Sequence, residues 1–292
     1  MSRDTKPFFI VSSGRSGTQL MEKVFGLYPQ VEMHHEYLCT HVQPLAVRYY
    51  MGLISLDEVC QELSTYHGAA INYSTRGFWG DSSNKLSWLI EALDRLFPNA
   101  KFIYIVRDGR KVTSSFFHKL GHECYDDRST NILQNHIDHP DQLSAPPPEK
   151  KYWWNLPPAG SAMAHEFRGF NQFQRICFHW GEVNRWIQRT LAPLGESRKR
   201  IYKLEELVSN PDAVEDMLSF LGLPIDQEIF SLIKHPHNVG TPIDRLLTDE
   251  QRLDLMTIAG DVMRQFGYDR TEEYRMEYDS IPEPEPSWAT SP

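Results

Sequence analysis

The sequence predicts an α/β fold, with a central parallel sheet flanked by helices, on three observations. Phe8–Phe9–Ile10–Val11 is an apolar run that meets a glycine-punctuated turn and then a helical pattern. Phe102–Ile103–Tyr104–Ile105–Val106 is a second apolar run, again followed by a helical pattern. Between and after them strand-like and helix-like segments alternate. Strands that read as continuous apolar runs are buried on both faces, which is the pattern of a parallel sheet covered by helices.

The first strand covers residues 7–11 and its helix residues 17–27, where Tyr28-Pro29 ends it because the residue before proline avoids helical geometry. Residues 31–36 read as a short strand or extended segment. Residues 38–67 are mainly helical, with Leu45, Val47, Leu53, Leu56, Val59 and Leu63 at apolar positions. Residues 77–81 end another strand, and a helix over 85–97 places Leu86, Leu89, Ile90, Leu93 and Leu96 on one face. Pro98-Asn99 turns the chain into the strand 101–106, and a helix starts near Arg110.

Residues 121–168 break the alternation. They carry Pro146-Pro147-Pro148, Pro157-Pro158 and Tyr152-Trp153-Trp154, and read as a mostly irregular insertion, a candidate lid over the acceptor. Its aromatics suit either stacking on a substrate or packing on their own domain. A long helix resumes near Phe170 and buries Phe173, Ile176, Cys177, Trp180, Val183, Ile187 and Leu191. A late strand covers 201–204, and helices over 212–221 and 248–266 end near Gly222 and Gly267. Residues 1–278 form one domain, and the proline-rich segment 279–292 reads as a disordered tail. No internal repeat is present.

A chain of 292 residues with 40% hydrophobic and 24% charged residues can bury a full core. Its net charge of −9 argues against nucleic-acid or anionic-membrane binding. Lys101, Arg107, Arg110, Lys111 and Lys119 nevertheless gather in one segment, as a confined anionic ligand would require. No apolar run is long enough to span a membrane, and Met1–Lys6 leave no room for a signal peptide before the first strand. Cys39, Cys60, Cys124 and Cys177 are scattered and fit reduced thiols in a cytoplasmic protein.

Two segments carry chemistry. In Ser12-Ser13-Gly14-Arg15-Ser16-Gly17-Thr18-Gln19-Leu20 the turn leads from a strand into a helix, a geometry that stacks backbone N–H groups around a phosphate or sulfonate. The common nucleotide loop, Gly-x-x-x-x-Gly-Lys-Ser/Thr, is absent, and with it the residues that recruit Mg²⁺. In the second segment Arg107 stands at the carboxyl end of a strand, where open α/β sheets place ligands, and Ser115 follows eight residues later. Guanidinium and hydroxyl suit one phosphate; the plain alternative is an arginine paired with Asp108.

Together these segments resemble the sulfotransferase family that uses 3′-phosphoadenosine 5′-phosphosulfate (PAPS). The Gly-Arg-Ser-Gly-Thr-Gln loop at 14–19 is similar to the family's 5′-phosphosulfate loop, and Arg107 with Ser115 to its 3′-phosphate pair. The segments 96–102, 203–211 and 220–223 match the family's style in the same order. The resemblance implies a P-loop NTPase-like three-layer sandwich and metal-free sulfonate transfer to a hydroxyl or amine of a small-molecule or carbohydrate acceptor. Implied nucleotide contacts are Arg15, Ser16, Gly17, Thr18, Gln19 and Leu20, then Arg107 and Ser115, and Tyr202 in the late strand. Arg15 would also be catalytic, stabilising charge on the transferring group.

A base must take the acceptor's proton. Protein-tyrosine sulfotransferases and some bacterial carbohydrate sulfotransferases carry a glutamate at the place matching Glu36, and burial would raise its pKa toward neutrality. His34 and His35 compete for the role. The sequence departs from the family at Asp81-Ser82-Ser83-Asn84-Lys85, where Ser82 occupies the place of a cation and Lys85 is a possible substitute. The ungapped match puts Leu204 at the family's late-strand tyrosine, with Tyr202 two residues earlier. His118 and His122 have a spacing that can bind zinc, but solvated histidines at a helix end are the simpler reading. Two rival functions remain: a nucleotide-dependent kinase, which would need the missing Lys-Ser/Thr pair, and a non-catalytic nucleotide-binding relative.

Overall fold

The computed structural model describes residues 5–234 and 245–274. Five parallel strands lie in the order β2-β3-β1-β4-β5, with β1 at Lys6–Val11, β2 at Val31–His35, β3 at Phe78–Ser82, β4 at Lys101–Val106 and β5 at Lys199–Lys203. Strand β1 pairs with β3 on one side and β4 on the other, Val11 standing beside Tyr104. The two candidate anion-binding segments of the sequence therefore follow neighbouring strands and emerge at the carboxyl end of the sheet.

Alternation along the strands builds two cores. Phe9 and Val11 of β1, with Phe102, Tyr104 and Val106 of β4, face one side. Phe8, Ile10, Ile103 and Ile105 face the other. The second core is closed by α1 (Thr18–Gly26) and, later in the chain, by Leu207, Val214, Leu218 and Ile229. The first is closed by α2 (Cys39–Tyr50), α3 (Leu56–Leu63), the short α4 (Ala69–Tyr73), α5 (Ile90–Leu96) and α6 (Gly109–Lys119). This is the expected three-layer arrangement.

The helix expected over 85–97 is broken. A 3₁₀ turn, Leu86–Trp88, precedes α5, and Leu89 between them leaves helical geometry at φ −116°. Residues 64–68, expected within a regular helical stretch, form a π turn between α3 and α4.

The 121–168 stretch carries more structure than expected: α7 (Asp127–Asp138), a 3₁₀ turn at Lys150–Tyr152 and α8 (Met163–Phe167). Trp153 and Trp154 are buried, and their indole N–H groups donate to the carbonyls of Pro147 and Glu123 at 2.7 and 2.6 Å. Packing on the domain accounts for both indoles, so the stacking of these two on a substrate is corrected. The long helix α9 (Gln172–Leu191) starts on an Asn171–Gln174 capping box and supplies the core its periodicity promised.

After β5 come α10 (Leu204–Ser209), α11 (Pro211–Leu221), α12 (Gln227–Lys234) and α13 (Asp249–Gln265). Gly222 ends α11 with φ +80°, the left-handed cap predicted from sequence. Loop residues 235–240 and the tail 279–292 lie outside the described residues. The four cysteines are unpaired. Among the described residues no helix is long and apolar enough to cross a membrane.

Candidate functional site

The turn after β1 is built from side chains that hold its own backbone. Ser87 Oγ accepts from the Ser12 amide at 2.9 Å and donates to the Ser12 carbonyl at 2.8 Å. Ser12 Oγ accepts from the Gly14 amide, and Ser16 Oγ donates back to the Gly14 carbonyl at 3.0 Å. Gly14, Arg15 and Gly17 have φ of +83°, +55° and +84°. Consecutive turns of this hand curl the backbone into a concavity. A Cβ on Gly17 would also fall 2.8 Å from Leu204 Cδ1, so the glycine is required by hand and by the packing of α10, beyond any approach to a ligand.

Helix α1 begins directly after Gly17, and no side chain caps it. The first amides of a helix need partners from outside, and an anion suits them because the helix dipole favours negative charge there. Thr18 and Gln19 occupy this first turn as expected. The Leu20 side chain does not: it is buried in the core beneath, so only its backbone amide is available at the turn.

The structure brings the second segment onto the first. Arg107 Nη1 donates to the Arg15 carbonyl at 2.7 Å, and Arg15 Nε donates to Ser115 Oγ at 3.0 Å. Burial and the neighbouring Arg107 charge lower the Arg15 pKa, while Glu36 opposes them. Two guanidiniums held this close call for an anion. Asp108, the alternative partner considered for Arg107, caps α6 and pairs with Arg110 instead, at 2.6 Å. The Arg15 Nε–H is thus turned to Ser115, the hydroxyl expected at the 3′-phosphate end.

The basic segment is otherwise committed to internal pairs. Arg110 binds Asp108, Lys111 lies 3.1 Å from buried Glu273, and Lys101 donates to the Phe220 carbonyl. Among the described residues Arg107 is the one of these four seen joining the loop.

Tyr202 is not brought to the loop. Its hydroxyl donates to Asp216 of α11, and its ring lies in the core with Ile103 and Ile105. Leu204, the first residue of α10, is the one that meets the loop, against Gly17.

Glu36 follows β2 in left-handed geometry, φ +54°, its amide bonded to the Ser82 carbonyl at 3.2 Å. Its carboxylate forms an ion pair with Lys85, whose side chain is 3% exposed. Burial pushes the Glu36 carboxyl up, but the charges of Lys85 and Lys150 outweigh it and leave the group below its ordinary value. The expectation of a raised pKa is therefore corrected. Lys85 itself is lowered to about 8, chiefly by burial, with Glu36 opposing the shift. Ser82 and Ser83 are buried beside the pair. Lys85 thus supplies a cation at the site from three residues beyond Ser82.

The histidines named as rival bases have other partners. His35 Nδ1 lies 2.9 Å from the Ser82 carbonyl, and His34 Nε2 lies 3.2 Å from Glu32 while its ring packs against Tyr37 and Trp79. Among the described residues no three histidine, cysteine or acidic side chains cluster as metal ligands, His118 and His122 included.

Sequence reasoning missed His179 and Asn84. His179 reaches from α9 to the loop, its Nε2 donating to the Ser13 carbonyl at 3.1 Å, and burial lowers its pKa to about 4. Asn84 packs on Gly14, where a Cβ would lie 2.7 Å from its Nδ2. No local pattern marks His179, which is 166 residues from its partner.

Residues 7–145 match the sulfotransferase family model. Among solved structures, a sulfotransferase from Alicyclobacillus acidocaldarius aligns with a TM-score of 0.50 and 15% identity, covering 92% of this chain and 97% of its own. A sulfotransferase from Mycobacterium avium aligns with a TM-score of 0.48 and 13% identity over 95% of this chain and 79% of its own. A mouse sulfotransferase complexed with PAP aligns at 0.43 and 12%, over 91% and 86%. No curated protein matches the sequence. At 15% identity the likeness to the Alicyclobacillus acidocaldarius structure bears on the fold alone.

Proposed function

We propose that this chain, whose residues 7–145 match the sulfotransferase family model, moves a sulfonate group from PAPS to a hydroxyl or amine of a small-molecule or carbohydrate acceptor. The observation that carries this reading is the junction of the two anion segments: Arg107 on the Arg15 carbonyl, and Arg15 on Ser115. An elongated bisphosphorylated nucleotide needs an anion site at each end, joined at a fixed spacing. The uncapped start of α1 supports one end and the Arg107–Ser115 pair the other.

The loop fits such a donor. Its glycine-bearing concavity offers backbone N–H groups, and those groups are preorganised by Ser12, Ser16 and Ser87 rather than by the ligand. Donors fixed before the reaction stabilise developing charge without reorganising. When bound, PAPS supplies the electrophilic sulfur. An attacking acceptor oxygen forms one S–O bond as the bond to the 5′-phosphate breaks, and the acceptor's proton passes to Glu36.

Glu36 in this reading is a carboxylate kept ionised by Lys85, ready to accept a hydrogen bond from the acceptor. Lys85 takes the place of the cation missing at Ser82. As negative charge builds on the transferring group, the ammonium is attracted toward it and its hold on Glu36 weakens, which raises the basicity of the carboxylate when the proton must be taken. Residues 121–168 form a wall over this side of the domain, and we assign them to the acceptor end.

Calorimetric titration with 3′-phosphoadenosine 5′-phosphate (PAP), set against ATP with Mg²⁺, tests the donor site. Turnover of radiolabelled PAPS with pooled small-molecule extracts tests transfer. Preference for ATP with Mg²⁺ would favour the kinase reading and end this one; PAP binding without turnover would leave a nucleotide-binding relative.

A further inference from the structure

A small cavity behind Lys85 has polar walls that the donor reading leaves unused. Asn84 and Lys85 line it from the turn after β3, Asn155 from the 121–168 stretch and His179 from α9, with Trp88 and Trp154 as apolar sides. It has room for about one oxygen-sized group. All six residues are more than nine-tenths buried, as is a further polar wall, Gln43, whose Nε2 is spent on the carbonyls of Lys150 and Trp153.

The polar atoms are in deficit. Asn84 Oδ1 and Asn155 Nδ2 are buried without a hydrogen-bond partner. Lys85 Nζ carries three N–H donors and is seen paired with Glu36 alone. His179 spends its ring N–H on the Ser13 carbonyl, and its Nδ1 faces the Tyr125 hydroxyl at 3.5 Å. That hydroxyl is itself committed to the Asn155 carbonyl at 2.7 Å. Buried polar groups are ordinarily bonded, and this concentration beside the proposed base calls for an occupant.

The pattern selects the occupant's chemistry. Two walls donate, Lys85 and Asn155, and Asn84 accepts. A hydroxyl has one donor and two acceptor lone pairs, so it can give to Asn84 and receive from the other two. An ammonium would meet the charge of Lys85. A carboxylate would turn lone pairs toward Asn84 Oδ1 and His179 Nδ1. A methyl group would satisfy none of them.

We propose that this cavity is a hydroxyl socket of the acceptor site, receiving a hydroxyl that neighbours the one sulfonated. The inference rests on the sulfonate-transfer reading and narrows its acceptor to a polyhydroxylated molecule. Lys85 sets the spacing, because its ammonium pairs with Glu36 while the same residue lines the socket. The reacting hydroxyl addresses Glu36, and the next hydroxyl along the acceptor enters the socket. In the free protein the same position suits a water molecule, which the acceptor displaces.

The side-chain amide resonances of Asn84 and Asn155 report occupancy directly. Full-length protein saturated with PAP is titrated with trans-cyclohexane-1,2-diol and, separately, with trans-cyclohexane-1,2-diamine. The expected result is a saturable shift of both amides with the diol and none with the diamine. Asn155→Leu should remove the diol response and keep PAP affinity. Amides that ignore the diol at every concentration while exchanging with an ordered water mean a structural water only and overturn the socket. An equal response to the diamine overturns it as well. The wild-type titration decides the matter alone if the variant fails to fold. Failure to bind PAP would instead count against the donor reading, which the titration of that nucleotide measures independently.

Discussion

Lys85 and Glu36 form an ion pair between the turns that follow β3 and β2, the lysine 3% and the glutamate 20% exposed. The proposed base and its cation are thus joined before any substrate arrives. The pair also leaves a signature in stability. The folded pKa of Lys85 is about 8 against an ordinary 10.5, so between these values the unfolded chain binds the extra proton and stability rises with pH. Below pH 8 the buried ammonium is charged in both states and its desolvation penalty is fully present. Thermal melts from pH 8 to 10 should show wild type gaining stability relative to Lys85→Met; parallel curves would contradict the burial described.

Glu36→Gln keeps the shape of the side chain and removes the base. Turnover should fall by about 10²–10⁴, the usual contribution of general-base catalysis. PAP affinity, measured by calorimetry, should stay close to wild type. A fully active variant would exclude Glu36 and return attention to His34 and His35.

Arg107→Ala removes the charge proposed for the 3′-phosphate and the bond to the Arg15 carbonyl. Affinity for PAP should drop about 10–100-fold, the scale of a hydrogen bond to a charged group. Adenosine 5′-phosphosulfate lacks the 3′-phosphate and should lose much less. Equal losses for the two nucleotides would refute the assignment and mark Arg107 as a brace for the loop.

His179 is held neutral inside the fold with a pKa of about 4 against an ordinary 6.5. Its unfolded form takes a proton as pH falls from 6.5 to 4 while the folded form resists, so stability declines with acidification across that window. His179→Gln retains a donor for the Ser13 carbonyl and removes the titration. Its melting temperature should fall less than that of wild type between pH 6.5 and 4.

Gly17→Ala places a Cβ at φ +84°, 2.8 Å from Leu204 Cδ1. A non-glycine residue in this geometry costs roughly 1 kcal/mol before any contact is counted. A lower melting temperature and weaker PAP binding are expected. Adding Leu204→Ala should recover only the part due to contact, which separates crowding from backbone strain.

The sheet and the anion turn were legible because their signals are local. Apolar strands, left-handed glycines and the helix start all lie within one short stretch. The pairing of Arg107 with that stretch was legible through the order of the motifs, since β4 sits next to β1. Tyr202 was misplaced along the chain rather than across it: it shares a core face with Leu204 but lies two residues further back, among Ile103 and Ile105, and Leu204 meets the loop. Trp153 and Trp154 could not be assigned because local sequence does not reveal whether an indole N–H finds a carbonyl. The Glu36 shift was misjudged in sign because burial was visible and the approach of Lys85 was not. Asn84 and His179 become functional candidates only once distant segments surround the loop.

The bare beginning of α1 has a further consequence for the life of the protein. A ligand that supplies what this helix lacks binds the native chain and spares the unfolded one, so it lengthens the survival of the molecule as well as serving its chemistry. Starved of nucleotide, the molecule would open there sooner and meet proteases sooner. Abundance in a cell would then follow supply of the donor, a simple form of self-adjustment that requires no separate regulator.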